Sequence, residues 1–246
     1  MDIKAFQKSP SGRVIRTTNG YDAFVPNPLP PPISFDMDLV HLVSEAERAI
    51  GKLAGVGHTI PNPDFLIIPY TRLEAVTSSR IEGTQASLSE LFYFEAALEH
   101  PRPSNDLQEV INYLNALNYG LERLKSLPLS LRLVREIHEQ LMTGVRGGTP
   151  NMTPGEFRRS QNWIGPAGCN LNEATFVPCP SDQLIQILGE WELFLHDREK
   201  FPVLIQCALM HYQFETIHPF LDGNGRVGRL MITLFLCERE VLPSPL

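Results

Sequence analysis

The stretch VLIQCALMHYQFETIHPFLDGNGRVGRLMITLFLCE, Val203 to Glu238, places two apolar helical segments on either side of a short turn. Its apolar spacing predicts a helix over Val203 to Ile217 and a second that opens near Asn224 and continues into Glu238. The turn between them carries residue types suited to one task, holding phosphates beside a base. Gly223, Asn224 and Gly225 can adopt left-handed or tight backbone angles that turn successive N–H groups toward one point. The following helix brings its positive N-terminus to the same point, which makes an anion site. Arg226 and Arg229 lie three apart and project from one side of that helix, and guanidinium groups grip phosphate oxygens in bidentate fashion. Asp222 can hold Mg²⁺, which takes one or two carboxylate oxygens and shares the phosphates. His218, at the end of the preceding helix, is a titratable base close to neutral pH. Taken singly, each residue has a bland reading as cap, loop or solvated face. Base, acid, anion nest and two cations within twelve residues, 218–229, do not.

Outward from this stretch the chain reads as helical. Ser34 makes an N-cap for a helix over Phe35 to Leu53 that Gly55 and Gly57 stop. A second begins near Asn62-Pro63-Asp64 and runs to Ile81, with Gly83 as its C-terminal cap. Amphipathic patterns fit Leu88 to Leu98, Asn105 to Leu124, Ser130 to Met142 and Asp182 to Leu195. The period is lost between Met142 and Asp182, where Gly144, Gly147, Gly148, Pro150, Pro154, Gly165, Pro166 and Gly168 impose turns. Ala174-Thr175-Phe176-Val177 suits one arm of a small β-hairpin there. The beginning of the chain reads as an irregular arm, extended through Pro26, Pro28, Pro30, Pro31 and Pro32. The expected fold is all-α with one small strand element. It divides into an N-terminal region, 1–100, and a core, 101–246, that reads as cut short at its C-terminus.

Bulk properties exclude several classes. The 246 residues can bury a sizeable core, and 43% hydrophobic with 20% charged residues is ordinary for a globular chain. A formal charge of −7 argues against a general nucleic-acid or membrane-surface binder. No apolar leader opens the chain, and no apolar run is long enough to span a bilayer. Cys169, Cys179, Cys207 and Cys237 show neither CxxC pairing nor zinc-finger spacing, and the seven histidines form no HExxH set. A cytoplasmic protein with reduced thiols is the default.

The segment 218–229 resembles the Fic family signature HPFx(D/E)GNGRxxR at every specified position. The resemblance implies a Fic-type helical bundle with a small β-hairpin flap, and adenylylation: a Ser, Thr or Tyr hydroxyl attacks the α-phosphorus of ATP. By resemblance His218 is the general base, Asp222 holds Mg²⁺, and the amides of Gly223, Asn224 and Gly225 cradle phosphate oxygens. Arg226 serves the β-phosphate region, Arg229 the γ-phosphate, and Phe220 anchors the loop in the core. A kinase-like branch of the family carries AN-K where this chain has GN-G, so the loop favours the adenylylating orientation of ATP.

Ser78-Ser79-Arg80-Ile81-Glu82-Gly83 reads alone as a capped helix end. It also resembles the inhibitory signature (S/T)xxxE(G/N), with Ser78, Glu82 and Gly83 at the matching positions. That resemblance implies a Glu82–Arg229 ion pair that takes the cation meant for the γ-phosphate. Thr153 to Arg158, Trp163 to Gly165 and Phe176-Val177-Pro178 look like the flap, which in relatives clamps a target backbone by strand addition, with Val177 near the nucleotide. The implied partners are ATP and a target protein, with self-modification and a homodimer left open. Rival readings are another Fic-fold transfer, of phosphoryl or phosphocholine, and a catalytically idle regulatory module.

Overall fold

The computed structural model describes residues 1–97, 102–145 and 153–245. The expected helix end at Leu98, the turns at Gly147, Gly148 and Pro150, and the terminal Leu246 lie outside the described residues. The architecture is helical: α1 (Ile3–Phe6), α2 (Met37–Thr59), α3 (Asp64–Ile81), α4 (Leu88–Ala96), α5 (Asn105–Leu124), α6 (Leu131–Met142), α7 (Leu184–His196), α8 (Val203–Ile217) and α9 (Asn224–Glu238). Strands β1 (Gly12–Arg16) and β2 (Asp22–Pro26) form an antiparallel hairpin with Val14 opposite Phe24. Among the described residues no helix is long and apolar enough to cross a membrane.

Capping side chains set most of the boundaries. Ser104 caps α5 and Ser130 caps α6, each accepting from an amide three residues on. Ser87 and Glu90 form a reciprocal capping box at α4. At α2 the cap is Asp36 rather than the expected Ser34, its carboxylate accepting from Leu39 N at 2.8 Å. That helix also runs through Gly55 and Gly57 to Thr59. Helix-interior glycines such as these cost about 1 kcal/mol each relative to alanine, and Leu53 and Val56 on the same helix stay largely exposed beside Leu66 and Tyr70 of α3.

The strand element also differs from expectation. The segment read as an irregular arm contains the β1–β2 hairpin, and Phe24 is buried there against Phe6 and Phe176. The expected flap hairpin reduces to one antiparallel bridge, Ile164 with Phe176, because turns occupy most of the chain between its arms.

One apolar core draws on every long helix from α3 onward. Its fully buried members include Leu91, Tyr113, Leu133, Ile137, Leu141, Trp191, Phe214, Phe220 and Phe235. Ala75 and Val76 of α3 belong to the same cluster as Val110 and Leu117 of α5 and Leu230 and Leu234 of α9. Packing α3 onto α5 and α9 is what brings the end of α3 over the start of α9.

Candidate active site

Helix α8 ends on His218, whose φ of 50° and ψ of 62° put a non-glycine residue in the left-handed region. Such a conformation costs an L-residue about 1–2 kcal/mol, so something must hold it. The His218 carbonyl accepts from Arg158 Nε and from Asn162 Nδ2, both at 3.0 Å. Burial pushes the imidazole down to about 4, the main-chain carbonyl of Glu215 opposes this, and the Arg158 charge adds to it. The ring is therefore neutral at physiological pH and able to accept a proton. His218 Nδ1 is buried without a hydrogen bond, 4.0 Å from Glu215 Oε2.

The loop that follows is closed by its own side chains. Asn224 accepts from Phe220 N at 2.8 Å and donates to Phe220 O at 2.9 Å, so its amide staples the turn. Phe220 is fully buried and stacks on His138, with ring centroids 3.7 Å apart and planes 4° from parallel. Of the three residues expected to take unusual angles only Gly223 does, at φ 78°, and Asn224 and Gly225 already belong to α9. This still leaves their N–H groups at the first turn of a helix, where an anion is favoured.

Asp222 stands at the lip of the loop, its side chain 43% exposed, with Oδ1 accepting from Gly223 N at 2.6 Å. Among the described residues no three His, Cys, Asp or Glu side chains gather as a metal site. One accessible carboxylate beside an anion site fits Mg²⁺ held jointly with phosphate oxygens, and does not fit an all-protein cage.

The two arginines differ sharply. Arg226 is buried, its Nη1 3.4 Å from Glu109 Oε2, its Nη2 3.6 Å from Met142 Sδ and 4.0 Å from Asp222 Oδ1. Arg229 reaches α3 instead. Its Nε donates to Ser78 Oγ at 2.7 Å, and its Nη2 donates to Ser78 O at 3.0 Å and to Glu82 Oε1 at 2.6 Å. Glu82 sits one residue past α3, where Gly83 at φ 95° reverses the chain and Thr84 N bonds back to Ser79 O. Its carboxylate lies directly over Gly225, and any side chain at that position would collide with Oε1. An anion thus already occupies the first turn of α9.

The structure brings His218, Phe220, Asp222, Gly223, Asn224, Gly225, Arg226, Arg229, Ser78, Glu82 and Gly83 together around the start of α9. Val177 goes elsewhere: it is buried with Ala23 and Ala174, and its carbonyl accepts from Phe24 N.

Five further residues, His138, Glu109, Arg158, Asn162 and Glu215, bear on the site and escape a reading of the motif. His138 accepts from Gly155 N at 2.9 Å through Nδ1, so its Nε2–H donates to Asp222 O at 3.1 Å. Burial lowers its pKa to about 4 and keeps it in this neutral tautomer. Glu109 pairs with Arg226 and accepts from Thr84 Oγ1 at 2.7 Å. Arg158 and Asn162 share the His218 carbonyl as their acceptor. Glu215 has a buried Oε1 without a hydrogen bond, and burial raises its carboxyl to about 7, with Glu82 adding to the rise and Arg229 opposing it. His138 does leave a trace in the sequence, as a polar residue on the otherwise apolar buried face of α6, while Glu109 shares the buried face of α5 with Asn112.

A helical core that offers an anion-accepting helix terminus beside a neutral, buried histidine is the class of protein these features define. The chain belongs to the Fic/DOC family: residues 40–122 match its N-terminal region and residues 128–236 match its main domain. It is 30% identical over 178 residues to a "probable protein adenylyltransferase" of Aquifex aeolicus (strain VF5), covering 70% of this chain and 49% of that protein. It is 31% identical over 135 residues to the protein adenylyltransferase Fic of Drosophila virilis, covering 54% of this chain and 24% of that protein. The chain therefore spans about half the length of the first relative and about a quarter of the second. A Fic family protein from Desulfovibrio desulfuricans G20 shares the fold, with a TM-score of 0.67 at 24% identity, covering 86% of this chain and 61% of that one.

Proposed function

We propose that this chain transfers AMP from ATP to a hydroxyl group of a protein, and that Glu82 holds the activity down. The observation that carries this reading is the Glu82 carboxylate over Gly225, bonded to Arg229. It lies against the first turn of α9 and on a cation that suits a terminal phosphate, so bound triphosphate and Glu82 compete for one place. The family membership and the names of the two relatives point the same way.

In the proposed reaction the hydroxyl oxygen forms a bond to the α-phosphorus. The bond from that phosphorus to the α,β-bridging oxygen breaks, and pyrophosphate leaves with the electron pair. The hydroxyl proton passes to His218 Nε2, the ring nitrogen that does not face Glu215. First-turn amides of α9 and the arginines neutralise the phosphates, which is most of what phosphoryl-centred transfer needs. Mg²⁺ held by Asp222 and the phosphates would supply further charge neutralisation and alignment. The flap segment around Ile164 and Phe176 is the proposed place for a target strand, and the chain itself is one possible target.

The test uses ATP radiolabelled at the α position, with wild type, Glu82→Gly and Glu82→Gly/His218→Ala, each with Mg²⁺ and a cell lysate to supply targets. Label retained after denaturation should be strong in Glu82→Gly, weak in wild type and absent in the double variant. Retention from γ-labelled ATP instead would mean phosphoryl transfer. No retention from either label, with ATP bound, would mean an idle binding module.

A further inference from the structure

We infer that Arg158 and Asn162 are positioning residues that hold the left-handed turn at His218 and so set the direction of its imidazole, an inference that rests on the role given to His218 above. The two side chains converge on one atom. Arg158 Nε and Asn162 Nδ2 both donate to the His218 carbonyl at 3.0 Å. Each then fixes a second point of the same turn. Asn162 Nδ2 also donates to Phe220 O at 2.8 Å, and Arg158 N donates to Pro219 O at 2.9 Å. The guanidinium is itself clamped: Nη2 donates to Cys179 O at 2.6 Å and Ile217 O at 3.4 Å, and Nη1 to Ser160 O at 3.3 Å. Both residues are buried, Arg158 at 2% and Asn162 at 8% exposure.

The physical need is plain. Pro219 cannot continue an α8 ladder, and His218 sits at a φ that its own side chain disfavours. A relaxation of His218 from φ 50° to the helical value of about −63° would rotate its Cβ by about 110° about the N–Cα bond. Two charge-assisted or amide donors on a single carbonyl oppose that swing. Arg158 has a second effect, since its fixed positive charge disfavours protonation of the resting base. Other charged groups near the ring are Glu215 on α8, Glu82 beyond α3 and Asp222 in the loop.

The test compares Asn162→Leu, which keeps the branched shape and removes both hydrogen bonds from Nδ2, with Arg158→Lys, which keeps the charge but loses the planar fork. Each is made alone and in the Glu82→Gly background. NMR titration should move the His218 resonance of Asn162→Leu upward from about 4 by at least about one pH unit, toward a solvated imidazole. In the Glu82→Gly background the labelling rate at saturating ATP should fall at least about tenfold while KM for ATP stays within about twofold, the mark of a misaimed base. Arg158→Lys should show a smaller loss in the same direction, and it carries the test if Asn162→Leu does not fold. A folded Asn162→Leu with an unmoved His218 titration and an undiminished rate would overturn the inference. A parent Glu82→Gly without label would instead count against the transfer reaction, and the titration would still decide whether these residues hold His218.

Discussion

The two halves of the site are built in opposite ways. The turn 218–224 is locked: Asn224, Asn162, Arg158 and His138 each bond its main chain from buried positions, and Phe220 pins it to the core. The contact from α3 is loose by comparison. Glu82 has its side chain 37% exposed and meets Arg229, itself 21% exposed, from a residue beyond the helix end. Exposed ion pairs of this kind contribute about 0.2–1 kcal/mol. The turn is thus preorganised, and the Glu82 contact that we propose blocks it is an exposed pair of modest energy. Substitutions in the two halves should therefore separate stability from activity.

The largest effect expected is on chemistry. His218→Ala in the Glu82→Gly background should lower the labelling rate at least about a hundredfold, with ATP affinity by calorimetry little changed. A loss confined to KM would move the base elsewhere. Next comes the locked turn. Asn224→Ala strands the main-chain N–H of buried Phe220, whose carbonyl keeps Asn162, and should cost about 1–3 kcal/mol in denaturant unfolding. A cost under about 1 kcal/mol would show that the turn does not depend on its staple.

A smaller effect concerns Glu215. Its folded pKa, about 7, lies above its ordinary value of 4.5, so the folded state binds the proton more tightly than the unfolded state. Its stabilising contribution is fully present below about 4.5 and is lost as pH rises through about 7. With its side chain a third exposed, a discounted figure of about 1–2 kcal/mol follows from about 1.4 kcal/mol per unit. Glu215→Gln should therefore gain that much over wild type at pH 8 and nothing at pH 4. An equal gain at both would put the effect in packing rather than charge. The smallest effect belongs to the loose half: Glu82→Gln should change unfolding free energy by less than about 1 kcal/mol.

Much of this was legible from residue order alone, for identifiable reasons. The helices from α3 onward follow the 3.6-residue period, and their ends carry local signals such as Ser104, Ser130 and Gly83. The motif residues lie within a single turn and helix start, so proximity in sequence is proximity in space. The β1–β2 hairpin is harder to read because Pro26 and the prolines after it dominate the segment, although Asn19-Gly20 is a turn signal. Arg158, Asn162, His138 and Glu109 reach the site from segments distant in sequence. No spacing rule encodes their hydrogen bonds, which exist only once α5, α6 and the loop before α7 have packed against α8 and α9.

The central claim, that Glu82 occupies the place of the triphosphate, is tested most directly by measuring α-label retained by Glu82→Gly and by wild type at equal protein and ATP. At least about tenfold more label on Glu82→Gly, with unfolding free energies within about 1 kcal/mol of each other, is the predicted result. Equal labelling by the two proteins would contradict it, leaving a transferase whose Glu82–Arg229 contact does not inhibit.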